Sequence, residues 1–349
     1  MSSRPTLFVE IIGFIKAATT TASRLKQLMG ILQITLQVIK ELMSARLQRS
    51  RYNLLSVTPE LFAVLRSAYH LTSQEWQRTL SSDLNFQTIE QMRGSELILK
   101  VIRRSVVAGY DFPHRDNDVQ DFWKVSGAHM QVYMQFLHHK TFATDYKTLA
   151  GRHLIQIAKF HFNMAAVHPV SFPLLSDTLA LVHMYWEFAK AMRNNQRLLH
   201  DEISEVEFVY EAFNLRALLL LRLCFKMVHS ATHPVKYKSS PYKDDPARAK
   251  ELVKTSLLTN VFVNELCEVL INRFFIFVPS DIEEWTAEPE EWEMKEEVDE
   301  RDYELFVRPC AERLFLDIVL NYKELVIQPV IDLFSQVSCK LYQSVILCH

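Results

Sequence analysis

The chain has 349 residues, 49% of them hydrophobic and 23% charged, and a formal charge of only −2. A chain this long and this apolar buries a sizeable core, which excludes a disordered or fibrous protein. Its six glycines stand singly, which excludes the phosphate-cradling loops of nucleotide-binding sheets, where clustered glycines supply positive φ and close backbone approach.

The opening MSSRPTLFVEIIGFIKAATTTASRLK predicts a helix over 5–18. Glu10 and Lys16 interrupt its apolar run and no small-residue cleavage site follows, so it does not read as a secretory signal. Its basic, Thr/Ser-rich character has something of a mitochondrial presequence, but a basic-faced helix of a packed array is the simpler reading. Helical periodicity then dominates, and the predicted elements fall into antiparallel pairs: 21–47 with 57–80, 87–108 with 115–137, and 146–166 with 171–192. Within them Leu97/Val101 and Ile98/Ile102 form one stripe, and Leu154, Ala158 and Phe162 another.

Two further pairs follow, 205–229 with 245–274 and 309–322 with 325–346. The first contains the most apolar stretch, FNLRALLLLRLCFKMV, which Arg216, Arg222 and Lys226 break. It is too short and too charged to span a bilayer, and points to a soluble, intracellular protein without membrane insertion. No β-alternating run survives for more than a few residues. The expected fold class is therefore all-α: a HEAT/armadillo-like α-solenoid of antiparallel helix pairs, five pairs and one leading helix in a single array over 1–349.

Between the last two pairs lies DIEEWTAEPEEWEMKEEVDERDYE, residues 281–304, with thirteen acids and two bases in twenty-four positions. This segment carries −11 and leaves the rest of the chain at +9. Charge so concentrated cannot be buried, since each unpaired carboxylate would cost several kcal/mol. It is expected to be a solvated inter-helix loop over 279–305, closed by Pro309 at the first position of the next helix, with Glu312 in that helix's first turn. A charge run is usually a solvated face, but Trp285 and Trp292 among the acids add anchors of large area. The alternatives are a recognition surface for a basic partner and a loop that both tryptophans pin back on the array.

Catalytic chemistry is poorly served. Five scattered cysteines lack C-x-x-C spacing and read as free thiols, and the histidines lack H-E-x-x-H spacing, so no metal, cofactor or catalytic residue is assigned. Arg308 and a helix N-terminus beside Cys310 would lower its thiol pKa, but no base partners it, and packing is its expected role.

DIEEWTAEPEEW followed by YELFVRPCAERLFLDIV resembles the acidic-loop region of karyopherin-β nuclear transport receptors, most of all the importin-11 branch in a fungal-like form. VIKELMSARLQRSRYNL, LILKVIRRSVVAGYDFPH, HLIQIAKFHFNMAAVHPVSF and AKELVKTSLLTNVFVNEL extend the resemblance in order over most of 20–335. The resemblance implies a HEAT-repeat receptor, not an enzyme, that carries basic protein cargo through nuclear pores under control of the GTPase Ran. Its implied partners are basic cargo, Ran (bound weakly or incompletely by this chain) and nucleoporins, with no direct nucleic-acid partner, and its implied location is the nucleus and cytoplasm. It implies that Asp281, Glu283, Glu284, Glu288, Glu290 and Glu291 contribute to Ran or cargo contact, with Trp285 and Trp292 as anchors. Arg308, Pro309 and Glu312 are then structural elements after the loop. Such receptors bind Ran-GTP mainly through N-terminal repeats that this sequence lacks, so a truncated form is expected. A helical scaffold that works without Ran is the alternative.

Overall fold

The structure is a computed structural model that describes residues 3–18, 25–44, 48–79, 86–138, 144–196, 205–230, 237, 240–276, 279–296 and 302–347. Among these residues there is no strand. They divide into two compact units, Met1–Thr178 with Ser204–Val209, and Leu179–Ile203 with Tyr210–His349.

The first unit contains Ser3–Ala18 (α1), Leu25–Ser44 (α2), Gln48–Thr79 (α3), Phe86–Gly109 (α4), Asn117–His138 (α5), Thr144–Val167 (α6) and the single turn Ser171–Leu174 (α7). In α3 the side chains of Leu54, Leu61, Phe62, Leu65, Tyr69 and Trp76 recur three, four and seven positions apart and are at most 3% exposed. Ile98, Leu99, Val101, Ile102 and Val106 form the facing stripe of α4. The helices stack in two rows: α3 packs most extensively on α4, α1 also contacts α3, and α4 lies against both α2 and α6. Thus α1 packs against α2 and α3.

Aromatic side chains fill the space between α3, α5 and α6. Phe62 and Tyr69 meet Phe122 edge-on, Trp76 stacks on Tyr133 with ring centroids 5.3 Å apart, and Trp123 packs on Phe160. A fully buried side chain of this size contributes about 1.5–3 kcal/mol. Gly109 permits a close helix approach. A Cβ there would lie 1.9 Å from Oγ1 of Thr58, a buried residue whose hydroxyl already donates to the Leu54 carbonyl.

The connections are tied by polar side chains. Arg115 donates to Nε2 of His114, so the His114 Nδ1–H donates to the Ser171 hydroxyl at 2.8 Å. Gln120 donates to the His114 carbonyl and accepts from both the N–H and the hydroxyl of Ser176. His168 donates to the Val107 carbonyl at 2.7 Å. These bonds satisfy backbone groups that the helix ends leave open.

The second unit contains Thr178–Gln196 (α8, from Leu179), Glu205–His229 (α9, from Tyr210), Asp245–Ser256 (α10), Asn260–Val269 (α11), Pro279–Ala287 (α12), Pro289–Glu296 (α13) and Val307–Leu347 (α14). Tyr185 of α8 stacks on Phe213 of α9, and Trp186 donates to Glu265 of α11, which also pairs with Lys190. Leu314 and Ile318 are fully buried on α14, as are Cys310 and Ala311, with Phe315 and Val319 half-buried beside them.

Several predicted elements differ in their bounds. The helix expected over 171–192 is broken after α7, where Asp177 adopts the left-handed conformation (φ 59°) before α8 begins. The one expected over 245–274 is two helices, because Thr259 caps α11 by accepting from the Phe262 N–H. α11 then runs into a π turn, Leu270–Phe274, closed by the Phe275 N–H on the Leu270 carbonyl. α14 joins the two helices expected over 309–322 and 325–346, and its kink falls at Tyr322 (φ −129°, ψ 31°).

Candidate functional site

The acidic segment is not the loop that its charge suggested. Over its described part it is two short helices followed by a 3₁₀ turn, Asp302–Glu304. Two prolines set the boundaries. Pro279 opens α12 and Pro289 opens α13, the position at which a missing N–H costs a helix nothing. Glu290 and Glu291 occupy the first turn of α13, where the positive end of the helix dipole favours carboxylates. The Trp292 N–H closes that turn on the Glu288 carbonyl at 3.0 Å. The carboxylates remain solvated because both helices are exposed, not because the backbone is irregular.

Glu283, Glu288, Glu290 and Glu291 are exposed, while the side chains of Asp281 and Glu284 lie outside the described set, as do residues 297–301. Ile282 and Trp285, three residues apart on one side of α12, are 51% and 60% exposed. The two tryptophans thus part company. Trp285 faces solvent beside the carboxylates, whereas Trp292 is half-buried with the Arg308 guanidinium 5.5 Å from its ring centroid. That contact joins α13 to the start of α14 by cation–π attraction.

A second contact holds the far end. The Tyr303 ring lies 4.1 Å from the Arg222 guanidinium and 5.9 Å from the Lys226 ammonium, both on α9, and its hydroxyl donates to Glu304. Arg222 is only 3% exposed, and its Nε donates to Oδ2 of Asp317 on α14 at 2.8 Å. One buried cation therefore joins α9, α14 and the acidic segment. In the sequence, Arg222 and Lys226 show only as interruptions of an apolar run. The signal was present: a lone arginine in LLLLRLCF and a lone aspartate in LFLDIVL each require a partner when their helices are buried.

Beyond the segment, α14 begins at Val307, so Pro309 is its third residue and Glu312 falls in its second turn, exposed. The Cys310 N–H bonds the Phe306 carbonyl. The Cys310 thiol is not acidified by its helix terminus. Burial pushes it up to about 12, as it does those of Cys224 and Cys267. Among the described residues no three His, Cys, Asp or Glu side chains are grouped to hold a metal ion, and no helix is long and apolar enough to cross a membrane.

Comparison with known proteins supplies the setting. No protein-family model matches the chain. It is 27% identical over 346 residues to importin beta-like protein KAP120 of Saccharomyces cerevisiae, covering 97% of this chain and 32% of that one. It is 24% identical to importin beta-like protein kap113 of Schizosaccharomyces pombe (95% and 33%) and 22% identical to importin-11 of Mus musculus (82% and 28%). The chain thus spans about a third of the length of the curated relatives it matches. The solved structure of Lph2, described as a novel bidirectional nuclear transport receptor in S. cerevisiae, superposes with a TM-score of 0.78 at 23% identity, over 95% of this chain and 31% of that one. That likeness is one of fold, an all-α, HEAT/armadillo-like solenoid of antiparallel helix pairs. By sequence over nearly its whole length, the homologues of this chain are importin-β-like karyopherins.

Proposed function

We propose that this chain is a segment of a nuclear transport receptor, whose acidic helices α12 and α13 contact a basic protein partner. The observation that carries the reading is the exposed pair Ile282 and Trp285 set among Glu283, Glu288, Glu290 and Glu291. Carboxylates attract Lys- and Arg-rich surfaces and speed the encounter. A solvent-facing indole supplies the buried area that holds the complex once formed. Trp292, committed to Arg308, supports the surface from behind and is not the anchor that Trp285 is.

The partners are basic cargo and the Ran GTPase, with nucleoporins met during passage between cytoplasm and nucleus. The reading draws on the importin-β-like homologues and on the fit between a strongly acidic, tryptophan-bearing surface and basic ligands. Binding, not catalysis, is the activity. Stacked helix pairs change curvature through small shifts at each interface. Ran-GTP and cargo that favour different curvatures would be coupled by about 1–3 kcal/mol, or 5- to 150-fold in affinity.

The test is a binding titration with Ran loaded with non-hydrolysable GTP analogue or with GDP. Weak binding with a preference for the GTP form is expected, since the implied Ran contact of this chain is incomplete, and Trp285→Ala should weaken it further. Equal affinity for the two forms would favour a helical scaffold that works without Ran.

A further inference from the structure

We propose that Tyr303 and Trp292 are positioning residues. Each rests on a cation of the packed helices, and together they fix the acidic helices in the place from which a partner is met. This proposal rests on the reading of α12 and α13 as the contact surface.

Helices as short as α12 and α13, nine and eight residues, are not stable on their own. Their carboxylates repel one another, which favours expansion of the segment into solvent. Something must hold them, and two contacts tie the segment to the packed helices, one on α13 and one in the 3₁₀ turn Asp302–Glu304. Trp292 sits 5.5 Å from the Arg308 guanidinium at the start of α14. Tyr303 sits 4.1 Å from the Arg222 guanidinium on α9. The second cation is itself fixed, since Arg222 is buried and bonded to Asp317. Trp292 and Tyr303 are half-buried, whereas Trp285 and the four glutamates are exposed, so the clamps restrain the surface without occupying it. Ordering the segment in advance lowers the entropy that a partner must remove on binding, which raises affinity with no added charge.

The division of labour is specific. The carboxylates and Trp285 meet the partner, and Tyr303, Trp292, Arg222 and Arg308 hold them still. A change in the second group should alter affinity but leave the number of neutralised charges, and hence the salt dependence, as it was.

The variants are Tyr303→Leu/Trp292→Leu, which keep apolar bulk but remove both π faces, and Tyr303→Phe, which keeps the ring and loses only the hydroxyl. Hydrogen exchange of the α12 and α13 amides is measured together with affinity for an oligolysine peptide of about ten residues at two salt concentrations. In the double variant exchange should accelerate about 3- to 30-fold and affinity fall by a similar factor, with the salt slope unchanged. Tyr303→Phe should behave as the wild type. Unchanged exchange overturns the clamp. Faster exchange with unchanged affinity overturns its role in positioning. If the wild-type protein does not bind oligolysine, the contact reading fails by itself, and accelerated exchange in the double variant still supports the clamp.

Discussion

Replacing Arg222 with Met should cost the second unit about 3 kcal/mol or more, because it strands the Asp317 carboxylate and removes the cation beneath Tyr303. Breaking a buried ion pair from one side typically costs 3–5 kcal/mol, and the partial exposure of Asp317, 19% of its side chain, places this pair at the lower end. At about 2–4 °C per kcal/mol for a unit of this size, the melting temperature should fall by about 6–12 °C. Arg222→Met/Asp317→Asn removes both charges and should recover most of that loss, since a neutral pair of similar volume leaves no uncompensated ion. A double-mutant cycle measured by thermal melting checks this. If the double variant is as unstable as the single one, the arginine contributes by packing and not through its pairing.

The second large effect is a loss of stability in acid. His153 and His161 of α6 are fully buried, and burial holds both at about 3, far below their ordinary 6.5. His129 is lowered to about 4 by burial and by His70 nearby. Nε2 of His153 bonds the Tyr69 hydroxyl and Nε2 of His161 bonds that of Ser126, both as neutral rings. These are bases with depressed values in the fold, so between pH 6.5 and 3 the unfolded chain binds protons that the folded chain does not. Their contribution is complete above pH 6.5 and is lost progressively as pH falls below it. Each of the two removes about 1.4 kcal/mol per pH unit, and together they remove about 4 kcal/mol by pH 5. Melting temperatures followed from pH 7 to pH 5 should drop steeply in the wild type and less in His153→Gln/His161→Gln. Identical slopes would show that other groups set the acid sensitivity.

The helical architecture was legible because its signals are local and redundant. The stripe of α4, the Leu314/Ile318 face and the break near residue 322 can all be read from spacing. The grouping of helices was less accessible, because α3 has apolar residues enough to face several neighbours and nothing local says that α4 is the chief one. The break at Asp177 turns on one residue in the left-handed region, which no periodicity reports. At the candidate site, composition located the segment and the exposed Trp285, but it gave the wrong backbone. Pro279 and Pro289, each followed by acids, were helix-start signals that the sheer density of charge overshadowed. The Arg222–Asp317–Tyr303 cluster was hidden for a different reason. Its members lie up to 95 positions apart, and only the fold brings them together.

The central claim is that the exposed carboxylates of α12 and α13, with Trp285, form a surface for basic partners. The most direct measurement is a titration of an arginine-rich cargo peptide against the wild-type chain and Glu283→Gln/Glu288→Gln/Glu290→Gln/Glu291→Gln, at about 50 mM and about 300 mM salt. All four side chains are exposed, so the packed core should be unaffected. The expected result is binding by the wild type that weakens strongly with salt, and an affinity at least tenfold lower with a shallower salt response in the variant. Equal affinities with equal salt dependence would contradict the claim and leave these helices as a solvated connection between packed elements.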